Sequence, residues 1–84
     1  MLKVLFFARV KVELDCPALD LPWSESIASV ERLQAQLCES GGQRWQEVLS
    51  QPNMVRAVNQ TVVSGDAPLC DGDEVAFFPP VTGG

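Results

Sequence analysis

Ala57-Val58-Asn59-Gln60-Thr61-Val62-Val63 and, seven residues further on, Asp71-Gly72-Asp73-Glu74-Val75-Ala76-Phe77-Phe78-Pro79-Pro80-Val81-Thr82-Gly83-Gly84 decide the fold. Two β-prone runs, 54–58 and 61–63, meet across Asn59-Gln60, which supplies a tight turn, and so predict a hairpin. Asp71-Gly72-Asp73 is a further turn signal and introduces a last strand over 74–78. That strand runs into Pro79-Pro80. Proline has no N–H to give to a sheet, so residues 79–84 are expected to leave the folded body as an extended tail, with 1–78 forming one domain.

The tail closes on two glycines and a free α-carboxylate. Lacking a Cβ, Gly83 and Gly84 can thread a channel too narrow for other residues. Fully extended from Pro79, the tail reaches on the order of 20 Å. Such an arm can carry its carboxyl group into the active site of another protein. A Gly-Gly end taken alone also fits an ordinary frayed terminus, so the rest of the chain has to decide.

Working back from the hairpin, residues 29–39 form the main predicted helix, with Ser29 as N-cap and Val30, Leu33 and Leu37 on one stripe. Ser26 is a competing cap one turn earlier, and Gly41-Gly42 ends the helix. Residues 44–50 predict a second, short helix carrying Trp45, Val48 and Leu49, closed by Pro52. Residues 18–21 predict a short strand stopped by Pro22, and residues 2–8 a first strand. On that strand Leu2, Val4, Phe6 and Ala8 alternate with Lys3, Leu5, Phe7 and Arg9, and the second set, carrying both charges, faces water. The expectation is an α+β domain: a mixed five-stranded sheet with one main helix and one short helix packed across it.

Eighty-four residues with 46% hydrophobic content allow one modest core and no deep enzyme cleft. A net charge of −5 disfavours nucleic acid and anionic membrane surfaces as partners. No apolar run approaches a membrane span and the first residues lack a signal-peptide layout, so a cytoplasmic protein is expected. Cys16, Cys38 and Cys70 are scattered, no C-x-x-C occurs and histidine is absent, so the thiols are expected to be reduced, with no metal site and no assigned role. Asp71 and Asp73, flanking Gly72, are expected to shape a turn rather than hold an ion.

The hairpin and final stretch quoted above, with Pro68-Leu69 between them, the opening Lys3-Val4-Leu5-Phe6-Phe7-Ala8 and the helix Val30-Glu31-Arg32-Leu33 resemble the small, sulfur-carrying subunits of molybdopterin synthases. The resemblance spans nearly the whole chain, is specific in the last third and is loose over 11–26. It implies the ubiquitin-like β-grasp fold. It also implies that an ATP-dependent activating enzyme adenylates the carboxylate of Gly84, which sulfur then converts to a thiocarboxylate. The loaded tail enters the large synthase subunit and donates sulfur to a cyclic pyranopterin precursor, building the dithiolene of the molybdenum cofactor. The chain itself binds no cofactor in this scheme; ATP is used by the activating enzyme. A heterotetramer, two small subunits on a large-subunit dimer, is the assembly the family implies.

Within that expectation Gly83 and Gly84 give narrow access, Pro79-Pro80 set the exit direction, and Val81-Thr82 can pair with a partner's backbone as an added strand. Phe7, Val62 and Phe78 are expected to form an exposed apolar docking patch beside the tail, while Val4, Phe6, Val75 and Phe77 belong to the core. Arg9, Lys11 and Arg56 are assigned as solvating surface charges. Competing functions are a sulfur carrier for thiazole (thiamine) synthesis, a ubiquitin-like protein modifier that ends as an amide on a target lysine, and a passive β-grasp interaction domain.

Overall fold

Alternation of apolar and polar residues along 2–6 becomes a strand whose even side chains are sealed from water: Leu2, Val4 and Phe6 are buried, while Lys3 is exposed and Leu5 half-buried. The computed structural model describes residues 1–51 and 54–79. Its sheet has five strands, β1 (Leu2–Phe6), β2 (Ala18–Leu21), β3 (Val55–Val58), β4 (Thr61–Val63) and β5 (Glu74–Phe78), in the order β2-β1-β5-β3-β4. β1 and β5 run parallel, with Val4 opposite Val75 and Phe6 opposite Phe77. The other pairings are antiparallel. The strand nearest the tail is therefore the central strand of the sheet.

The β3–β4 hairpin forms as expected. Asn59 and Gln60 both take positive φ, 49° and 68°, the two-residue geometry whose twist matches the flanking strands. Asn59 also ties the hairpin to β5: its Oδ1 accepts from the Glu74 N–H at 3.0 Å and its Nδ2 donates to Asp73 Oδ1 at 3.1 Å.

Three α-helices cover one face: α1 (Ala8–Leu14), α2 (Val30–Gly41) and α3 (Gln43–Leu49). Ser29 caps α2, its hydroxyl accepting from the Arg32 N–H at 3.2 Å, and a 3-10 turn over Glu25–Ile27 precedes it, where Ser26 had offered a rival start. Val30, Leu33 and Leu37 are the buried stripe, meeting Val48 and Leu49 of α3 and the sheet residues Leu2, Val4, Phe6, Val75 and Phe77. Each such side chain contributes roughly 1.5–3 kcal/mol relative to exposure. α2 and α3 are separated by one residue, Gly42, whose φ of 85° and ψ of −167° lie in territory reserved for glycine. Its neighbour Gly41 serves a different need: a Cβ there would collide with Trp45 where its ring joins its own Cβ, and that ring stands edge-on to Phe6 with centroids 5.4 Å apart.

The expected strand over 2–8 is corrected. β1 stops at Phe6, Ala8 takes φ 54°, and the chain turns into α1, a second short helix beyond the one expected. Val10 and Leu14, one helical turn apart, are both buried. Their burial outweighs the alternating pattern that would have carried the strand through Ala8 and Arg9. α1 ends on Asp15, in the left-handed region at φ 52° and ψ 43°, and Arg44 of α3 donates to the Glu13 carbonyl in its last turn at 3.0 Å.

Candidate functional site

The strand register arranges the face of the sheet turned away from the helices in rows. One row crosses all five strands: Ala18, Leu5, Ala76, Ala57 and Val62 lie side by side. Towards the start of β5 the next row is charged, with Asp20, Lys3 and Glu74 abreast. Towards its end the row is apolar: Val55 lies opposite Phe78, and the Phe7 ring meets the Phe78 ring edge-on at a centroid distance of 6.4 Å. The face thus grades from charge to bare hydrocarbon in the direction in which β5 runs out to Pro79.

The three aromatic and aliphatic side chains assigned to a docking patch share this face. Phe7 is 48% exposed and Val62 62% exposed, while Phe78 is half-buried. Phe7 and Phe78 are in contact; Val62 stands at the opposite edge on β4, with the small side chains of Ala57 and Ala76 leaving a shallow floor between. Phe7 keeps its place although β1 has ended, because its N–H still donates to the Phe77 carbonyl at 3.2 Å. Val4, Phe6, Val75 and Phe77 are buried, as expected. Pro79, half-buried, follows β5; the assignments made to Pro80, Val81, Thr82, Gly83 and Gly84 lie outside the described residues.

Arg56 departs from its assignment as a solvating charge. It points to the helix side, where Nη1 donates to Gln34 Oε1 and Nη2 to the Gly65 carbonyl, each at 3.0 Å, so it staples β3 to α2 and to the loop before β5. Arg9 is exposed and sits 3.4 Å from Glu13 on its own helix, an arrangement worth a few tenths of a kcal/mol. Asp73 shapes a turn: its Oδ2 accepts from the Cys70 N–H at 2.9 Å, and Asp71 pairs with the Met1 ammonium. The free thiols of Cys16 and Cys38 are half-buried and that of Cys70 is exposed.

No side chain among those described is arranged as a nucleophile with its base. What the site offers is an apolar face, held by a sheet, beside Pro79. Leu5, Val55 and Ala76 complete the face beyond the three side chains assigned to the patch; Val55 needs the β3–β5 register, which pairs it with Phe78, far along the chain, and leaves no local signal.

Comparison with known proteins agrees with this geometry. The family model described as "ThiS family" matches residues 4–84. Over its full 84 residues the chain is 46% identical to the molybdopterin synthase sulfur carrier subunit of Escherichia coli (strain K12), and both chains are covered completely. It is 37% identical, again over the whole of both, to the protein of that name from Haemophilus influenzae. Among solved structures, a chain in the complex of subunits 1 and 2 of molybdopterin-converting factor from Helicobacter pylori 26695 superposes with a TM-score of 0.68 at 24% identity, covering 99% of this chain and 97% of that one. The architecture is the expected α+β, ubiquitin-like β-grasp, with three helices rather than two.

Proposed function

The chain belongs to the ThiS family, and we propose from that premise that it works as the sulfur carrier subunit of a molybdopterin synthase, with the carboxyl group of Gly84 as its reactive end. The observation that carries the reading is full-length similarity to two sulfur carrier subunits, together with an apolar face at the root of the tail. The large synthase subunit and an ATP-dependent activating enzyme are the proposed partners, in a heterotetramer with the former. The cytoplasm is the proposed location. Free thiols suit a reducing compartment, and no helix among the described residues is long and apolar enough to cross a membrane.

In this mechanism a carboxylate, a poor electrophile, is first activated. A Gly84 oxygen attacks the α-phosphorus of ATP and pyrophosphate departs; sulfide from the sulfur source then attacks the acyl carbon and AMP leaves with the former carboxyl oxygen, so one oxygen is replaced by sulfur. The thiocarboxylate is an anionic nucleophile at the chain's carboxyl end. The β-grasp body docks, Gly83 and Gly84 pass a narrow channel, Pro79-Pro80 aim the arm and Val81-Thr82 pair with the partner's backbone. The sulfur thereby meets the pyranopterin precursor at high local concentration. Acid–base groups and substrate-phosphate contacts belong to the large subunit. The carrier is spent and reloaded, a co-substrate as much as a subunit.

The test is intact mass after incubation with activating enzyme, ATP and a sulfur source. Exchange of one oxygen for sulfur, mapped to Gly84, is expected. Deletion of Gly84 is expected to abolish that exchange and sulfur transfer while leaving thermal unfolding unchanged; transfer by the shortened chain would refute the assignment.

A further inference from the structure

β1 and β5 run parallel and end level, Phe6 opposite Phe77, and α1 starts two residues after β1 ends. α1 packs against β5 and α3 at the end of the sheet from which residue 80 continues. On this helix Val10 and Leu14 point into the core. At 100° per residue, Ala8 and Val12 fall on the opposite side, with Arg9 and Lys11 flanking them. Val12 is 71% exposed, more than Phe7 or Val62. Valine is also a poor helix former, so neither local preference nor the core accounts for it there.

We propose that the outward side of α1, centred on Val12 and bordered by Arg9 and Lys11, is a second contact for the large synthase subunit, continuous with the Phe7–Phe78 corner; this rests on the function proposed above. Reach supplies the reason. From Pro79, the five residues 80–84 span at most about 17 Å. A protein that takes Gly84 into its own pocket brings its surface that close to the end of β5, which α1 borders. The complementary strip on the partner is apolar, facing Val12, with a carboxylate placed to meet Lys11; Arg9 already sits 3.4 Å from Glu13. An apolar contact of this kind suits the long-lived subunit interface better than the transient encounter with the activating enzyme.

The test uses the full-length chain and the large subunit in titration calorimetry, with Val12→Glu beside Phe78→Asp. Val12→Glu places a good helix former on an exposed site, and affinity is expected to fall about tenfold or more with unchanged thermal unfolding. Unchanged affinity for Val12→Glu with a clear loss for Phe78→Asp would overturn the α1 contact and leave the sheet-face reading standing. Unchanged affinity for both would overturn the docking face as well. A loss seen only with the activating enzyme would overturn the choice of partner. Should Val12→Glu unfold earlier, Val12→Thr decides, since it keeps the branched shape and exchanges one methyl for a hydroxyl: unchanged affinity refutes the contact.

Discussion

Helix α2 begins with N–H groups that have no partner within the helix, and the way each is met shows how single residues hold this fold. Val30 N–H donates to the Ala67 carbonyl at 2.9 Å, Glu31 N–H to Asp66 Oδ1 at 2.9 Å and Arg32 N–H to the Ser29 hydroxyl at 3.2 Å. The bond from Glu31 N–H is the main reason that the Asp66 carboxyl is held below its ordinary value of 3.8; slight desolvation opposes it, and Ser29, Ala67 N–H and Arg56 assist. A carboxylate with a depressed folded value stabilises fully above its ordinary value and loses that contribution as pH falls through the depressed one. Asp66→Asn, which keeps an acceptor oxygen and removes the charge, is therefore expected to melt below wild type at neutral pH, with the gap closing as pH drops below 3.8. Melting curves of both proteins across that range check it, and a gap independent of pH would refute it. Ser29 was recognisable as a cap because its partner is three residues away; nothing local marks the role of Asp66, whose partner lies 35 residues off.

At the scale of elements, what could be read from the sequence follows the range of the forces that decide each one. The hairpin, α2 and β5 are locally determined by turn chemistry, a capped stripe and a proline stop, and all three formed close to their expected bounds. α1 was missed because seven residues give a single buried i,i+4 pair, Val10 and Leu14, and the strand pattern running into it was the stronger local signal. With α1 went the sight of Val12 as an outward-facing residue. The one-residue link between α2 and α3 offers a direct test. At φ 85° and ψ −167°, Gly42→Ala is expected to cost about 1–3 kcal/mol, although no atom stands within 4 Å to obstruct the added methyl. Denaturant unfolding measures it; a loss below about 0.5 kcal/mol would mean that the helices can pivot at this link.

For the whole molecule, the strand order matters more than any single contact. β5 is hydrogen-bonded to β1 on one side and β3 on the other, so the amino-terminal strands and the hairpin meet only through it. A chain ending at residue 73 is expected to lack both Val75 and Phe77 from the core and to show no cooperative unfolding by circular dichroism, whereas one ending at residue 79 is expected to melt as the complete chain does. The apolar face follows the same logic. Phe7, Phe78 and Val62 come from three separated segments and share one surface, with Phe7 against Phe78 and Val62 at the far edge, only when the central strand is in place.

That placement makes folding a form of inspection. A product of premature termination before Glu74 lacks the strand that joins the sheet, so it is expected to form neither the folded body nor the apolar corner of Phe7 and Phe78. On the proposed function, such fragments are expected not to compete with intact carriers for either partner. Every carrier that docks through this corner would then have been built at least as far as Phe78, so folding itself screens out chains broken before that point.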